Sequence, residues 1–92
     1  MINVNEYYEG KIKSLGNSVN GEKFTVGVME EGEYKFGTDT VEIMEIIFGE
    51  MDAILPGGNR ESYKKGDSFR VDKGVEFTVV IKEPVSYLCL YK

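Results

Sequence analysis

The placing of glycine constrains this chain more than any other feature. Eleven glycines, at Gly10, Gly16, Gly21, Gly27, Gly32, Gly37, Gly49, Gly57, Gly58, Gly66 and Gly74, cut it into segments too short for stable helices and long enough for strands. Several segments are rich in β-branched and aromatic residues, as in Phe24-Thr25-Val26-Gly27-Val28-Met29 and Glu33-Tyr34-Lys35-Phe36. The Glu30-Glu31-Gly32 link between these two suits a hairpin. Further strands are predicted at residues 7–14, 42–48, 51–55, 61–63, 68–71, 76–81 and 86–91. One rival exists, because Val41, Met44, Ile47 and Phe48 also fit a helical face, but the run is short and Gly49 ends it. Pro56-Gly57-Gly58-Asn59 reads as a sharp turn, and residues 17–22 as a mobile surface loop. Many short strands in succession indicate an all-β sandwich or barrel.

Ninety-two residues fit one domain, residues 1–92, with a thin core. A chain of this size hides only about 60–65% of its unfolded surface. The single Cys89 cannot make an internal disulfide, so packing and a second subunit are expected to hold the fold. Eleven Lys and Arg against sixteen Asp and Glu leave a net charge of −5, which speaks against nucleic-acid or anionic membrane partners. No apolar run is long enough to span a bilayer, and Met1-Ile2-Asn3-Val4-Asn5-Glu6 lacks the basic-then-apolar pattern of an export signal, so a cytoplasmic location is expected. Histidine is absent, so acid–base or metal chemistry must proceed without it.

Strand alternation puts Tyr34, Phe36 and Thr38 on one face, and Phe69, Val71, Phe77, Val79 and Ile81 on inward faces of later strands, as a barrel lining requires. Six residues separate Glu42 from Gly49, and seven separate Gly66 from Gly74. These spacings resemble the two motifs of the cupin superfamily, small jelly-roll β-barrels. In metal-binding cupins three histidines and a glutamate hold a transition metal, and the resemblance puts those positions at Phe36, Thr38, Glu42 and Phe77. Only the glutamate remains, and one carboxylate is a poor metal site, so no metal is expected.

The local strings carry the resemblance further. Asn5-Glu6-Tyr7, Gly10-Lys11, Lys13-Ser14, Val26-Gly27-Val28-Met29, Gly32-Glu33-Tyr34, Leu55-Pro56, Glu83-Pro84 and Ser86-Tyr87-Leu88-Cys89 follow in an order similar to that of the pyrimidine/purine nucleoside phosphorylase family of one-domain cupins. Departures are Asp72 where proline is common, the turn Lys73-Gly74-Val75, and Leu90 where some members carry arginine. The resemblance implies a homodimer that splits nucleosides with inorganic phosphate into free base and pentose 1-phosphate, with no cofactor.

Such chemistry builds positive charge on the ribosyl group, so a carboxylate that grips sugar hydroxyls and faces that charge is the first requirement. Glu42 is the candidate, with Thr38 as a hydroxyl donor for phosphate. Tyr34, Phe36, Phe77 and Tyr87 are candidates for stacking on the base. Arg70, between Phe69 and Val71, is expected to point away from the lining, and Lys11 and Lys13 to sit on a solvated strand edge. Gly57-Gly58 lacks the Gly-Lys-Ser/Thr ending of a phosphate loop, and Cys89 reads as core filler. Two alternatives stay open: a non-catalytic small-molecule-binding cupin, and a structural dimer whose barrel is filled.

Overall fold

The computed structural model describes all 92 residues. Ten strands and no helix make up the chain: β1 (Asn3–Tyr7), β2 (Ile12–Val19), β3 (Glu22–Met29), β4 (Gly32–Gly37), β5 (Glu42–Phe48), β6 (Glu50–Ile54), β7 (Arg60–Lys64), β8 (Ser68–Val71), β9 (Glu76–Ile81) and β10 (Val85–Tyr91). One sheet has six strands in the order β1-β2-β3-β10-β5-β8, the other four in the order β4-β9-β6-β7. The two pack face to face as a flattened jelly-roll barrel, because strands such as β2, β3, β9 and β10 alternate a buried and a more exposed side. Ile12, Met29, Met44, Ile46, Met51, Val79, Ile81 and Val85 fill the interior. Where β5 leaves one sheet and β6 enters the other, Gly49 makes the corner with φ +93°, and a Cβ there would come within 3.1 Å of the Pro84 carbonyl oxygen.

The predicted strands at 42–48, 68–71 and 76–81 match β5, β8 and β9, and the helical alternative for 41–48 does not form. Three expectations need correction. Residues 7–14 are not one strand, because Tyr8 to Lys11 turn the chain from β1 into β2. Residues 17–22 are not a loop: β2 runs to Val19, and Asn20-Gly21, with φ of 51° and 82°, form the two-residue turn into β3 that suits the twist of paired strands. The segments around Glu30-Glu31-Gly32 make no hairpin, since β3 pairs with β2 and β10 while β4 pairs with β9. Alternation is equally clean on both, so local pattern alone could not tell a hairpin from a crossing between sheets.

The β1–β2 turn is fastened across the barrel. Tyr8 lies on the exposed edge of β4, where its hydroxyl donates to the Lys35 carbonyl and accepts from the Lys35 amide at 3.0 Å. Its ring rests on Tyr34, 5.0 Å between centroids, and on Phe36 at 6.1 Å. Tyr8 and Glu9 hold φ of 53° and 58°, a left-handed conformation unusual for a bulky residue, which these contacts offset. Tyr8→Phe keeps the ring and removes the hydroxyl. It should lower stability by about 1 kcal/mol and markedly speed hydrogen exchange of the Lys35 amide, measured by NMR. Unchanged protection of that amide would show that something other than Tyr8 covers this edge.

Candidate functional site

The register of the six-stranded sheet lays its inner face out in rows. Lys23 of β3, Tyr91 of β10 and Glu42 of β5 stand abreast at one end. Thr25, Cys89 and Met44 make the next row inward, followed by Ser14, Gly27, Tyr87 and Ile46, then Ile12, Met29 and Val85. Polar groups thus sit at the open end and apolar ones deepen the interior. Facing them from the other sheet are Phe36 and Phe77, paired across β4 and β9 with ring centroids 5.7 Å apart. Between the walls lies a cavity of about 300 Å³, lined by Lys23, Glu42, Met44, Tyr87, Cys89 and Tyr91 on one side and Phe36 and Phe77 on the other. Tyr7, Ser14, Met29, Gly37, Asp39 and Thr40 complete it. That volume lies at the lower end of the range of about 300–1,000 Å³ for small-molecule sites. A filled barrel is therefore not what this sequence builds.

Burial is the main reason the Glu42 carboxyl is pushed above the usual glutamate range, and Asp39 adds to it. The Cys89 thiol donates to Glu42 Oε1 at 3.5 Å and, with Lys23, partly offsets the shift. Cys89 is itself pushed up to about 12, first by burial and then by the Glu42 charge, so it stays a thiol and is no nucleophile at neutral pH. Burial likewise lifts Tyr87 to about 12 and raises Tyr91, leaving both as neutral hydroxyls. The Tyr91 hydroxyl lies 3.0 Å from Thr25 Oγ1, and Lys23 Nζ stands 4.9 Å from the Tyr91 ring centroid.

Of the residues singled out from sequence, Glu42, Phe36, Phe77 and Tyr87 come together around this one cavity. Thr38 and Tyr34 do not line it. The Thr38 hydroxyl donates to the Asp72 carbonyl at 2.6 Å and accepts from the Val75 amide at 3.1 Å, pinning the start of the β4–β5 connection to the turn before β9. The Tyr34 hydroxyl donates to the Glu30 carbonyl at 2.7 Å, closing the bend between β3 and β4. Arg70 is exposed beside Asp72, with which it pairs. Leu90 lies on the outer face of β10, between Phe24 and Ile43.

Lys23 and Tyr91 were missed, although a signal for each was present. Counting back by two from Met29 through Gly27 and Thr25 reaches Lys23, and counting on from Tyr87 through Cys89 reaches Tyr91. Reading residues 17–22 as a loop hid the first of these.

The two-sheet barrel with a cavity opening at its end has the fold of a cupin. An RmlC-like cupin from Shewanella frigidimarina superposes with a TM-score of 0.79 at 18% identity over 98% of this chain and 82% of its own, a likeness of fold. At finer grain, the sequence pattern of the family described as "Pyrimidine/purine nucleoside phosphorylase" matches residues 2–91, and the chain belongs to that family. A relative from Photobacterium profundum named pyrimidine/purine nucleoside phosphorylase is 45% identical over 92 residues, 99% of both chains. A solved structure of a protein of unknown function from Vibrio parahaemolyticus superposes with a TM-score of 0.96 at 36% identity, over 100% of this chain and 99% of its own.

The position of Tyr87 depends on a missing side chain. A Cβ on Gly27 would lie 2.7 Å from both the Tyr87 hydroxyl oxygen and the Lys13 carbonyl oxygen, so the ring occupies the space that only glycine leaves open. Gly27→Ala should destabilise the fold by about 1–3 kcal/mol, read as a drop in melting temperature together with a changed near-UV circular dichroism of the tyrosines. A wild-type melt and spectrum would mean that Tyr87 does not need this gap.

Proposed function

We propose that this chain splits purine and pyrimidine nucleosides with inorganic phosphate, giving the free base and a pentose 1-phosphate. The observation that carries the reading is a half-buried carboxylate set against two aromatic rings in one small cavity, in a chain that belongs to the nucleoside phosphorylase family over nearly its whole length. In the reaction a phosphate oxygen forms a bond to C1′ of the sugar while the bond from C1′ to the base nitrogen breaks. The electron pair of that bond leaves with the base, which takes up a proton. Glu42 accepts hydrogen bonds from the sugar hydroxyls and faces the positive charge that grows on the ribosyl group. Phe36 and Phe77 stack on the base without reading its edges, which suits both purines and pyrimidines. Tyr87 contributes a neutral hydroxyl from the deeper part of the cavity.

Thr38 serves the reaction as a positioning residue, holding the segment that brings Asp39 and Thr40 to the cavity. Tyr34 steadies the wall that carries Phe36. The reaction needs no cofactor in this reading: the rings of Phe36 and Phe77 offer no lone pair where cupin metal sites have histidines, and no cluster of three potential ligands gathers around Glu42. The active form is a homodimer in the cytoplasm. Supporting the dimer, Val4, Leu15 and Val26 stand abreast on the outer face of β1, β2 and β3 and are 71%, 53% and 46% exposed, an apolar strip suited to a second copy.

Incubated with inosine or uridine, the protein should release free base only when phosphate is present. Binding without release would favour the non-catalytic alternative. Glu42→Gln should lower kcat by about a hundredfold or more with little change in KM, the scale expected when one electrostatic stabiliser is lost. Because burial raises the Glu42 pKa, the acid limb of kcat/KM should fall above the ordinary glutamate value and disappear in Glu42→Gln. Unaltered kinetics on both nucleosides would remove Glu42 from the site. Light scattering at micromolar concentration should give twice the 10.4 kDa chain mass, and a monomer mass would overturn the dimer.

A further inference from the structure

We propose that Lys23 is the phosphate anchor of this cavity, with the Tyr91 hydroxyl as its partner donor. The assignment rests on the phosphorolytic reading of the site and supplies the group that reading lacks. An attacking phosphate brings negative charge into a space whose lining already contains Glu42 and Asp39, so a cation must offset it. Of the nine lysines and two arginines, Lys23 alone lines the cavity. The rest are committed elsewhere or lie away from it: Arg60 pairs with Asp52, Arg70 with Asp72, Lys92 with Glu22 and Lys13 with Glu6. Lys23 forms no ion pair within the chain, and its ammonium is held instead near the face of the Tyr91 ring, 4.9 Å from the centroid.

The register gives this anchor a useful place. Lys23, Tyr91 and Glu42 are consecutive partners across β3, β10 and β5, so Lys23 and Glu42 are separated by two strand spacings, about 10 Å at the backbone. Both side chains are long enough to reach inward from those positions. A phosphate bridging Lys23 and the Tyr91 hydroxyl would therefore lie beside a sugar whose hydroxyls engage Glu42. The ammonium attracts the nucleophile on one side of Tyr91, while the carboxylate serves the sugar on the other. This separation keeps the two opposite charges from pairing with each other and leaves each free for its own part of the substrate pair.

The test compares wild type with Lys23→Met, which keeps length and apolar stem but loses the charge, and with Lys23→Arg, which restores it. With inosine saturating, the phosphate KM should rise about ten- to hundredfold in Lys23→Met, the inosine KM should stay within about twofold, and Lys23→Arg should recover most of the loss. Lys64→Met, on the far strand β7, serves as a charge control and should leave the phosphate KM unchanged. An unchanged phosphate KM in Lys23→Met, or an equal rise in both Michaelis constants, would overturn the assignment. Phosphate binding without nucleoside, followed by ³¹P NMR on the folded proteins, separates this idea from the activity itself. If wild type binds phosphate and Lys23→Met does not, Lys23 is the anchor even where no base is released. If both bind phosphate equally, the anchor lies elsewhere, whether or not the wild type releases base.

Discussion

The register of β10 between β3 and β5 is the constraint on which the site depends. With side chains alternating strictly, Tyr87, Cys89 and Tyr91 face inward and Ser86, Leu88 and Leu90 outward. A slip of one residue would replace two phenols and a thiol by two leucines and a serine, and would part Glu42 from the thiol that bonds it. Two features resist such a slip. The ring of Tyr87 fits over Gly27 and no other residue of β3, and the β5 ladder shifts by one residue between Ser86 and Tyr87, which places Ile46 in the core while Ile47 and Phe48 stay exposed. Packing and register thus specify the chemistry together.

The cavity holds its polar groups at a cost to the fold. A carboxylate whose pKa is raised by burial is one that the folded state would rather keep protonated, so Glu42 in its ionised form weakens the fold as pH rises through its titration range. The weak thiol hydrogen bond from Cys89 gives only partial relief. Asp52 shows the opposite design on the outer face of the four-stranded sheet, where Ser62 at 2.6 Å and Arg60 at 2.8 Å hold its carboxyl below the usual range. That group strengthens the fold above its unfolded pKa and stops doing so as acid protonates it. The buried Asp52 carboxylate is thus matched by a cation and a hydroxyl, whereas the half-buried Glu42 has only a thiol beside it.

Much of this was legible in the sequence because it is written in period two. The alternation of Phe77, Val79 and Ile81 and the glycine breaks gave the strands of the later chain, and the Glu42 to Gly49 spacing gave the position of the acid. Which strands would pair was not legible, since Glu30-Glu31-Gly32 could close a hairpin or carry the chain from one sheet to the other with the same residues. The fate of hydroxyls was equally hidden. Thr38 and Tyr34 share the inner face with Phe36, yet their oxygens are taken by backbone carbonyls of Asp72 and Glu30, partners fixed only when the turns are in place. Lys23 was within reach of the same alternation, but Asn20-Gly21 was read as loop rather than as the turn that starts β3 one residue before it.

Tyr8 has a bearing on how this molecule meets others of its kind. Both sheets have open sides, and β4, an outer strand of the smaller sheet, also carries Phe36 in the wall of the cavity. An outer strand with free amides and carbonyls invites an extended segment from another chain to add to it. By taking both the amide and the carbonyl of Lys35 in the middle of β4, one phenol interrupts the row of free groups that an incoming strand would need. Runaway strand addition at this edge must therefore wait for the β1–β2 turn to let go, and protection against aggregation is tied to the same residue that steadies the aromatic wall.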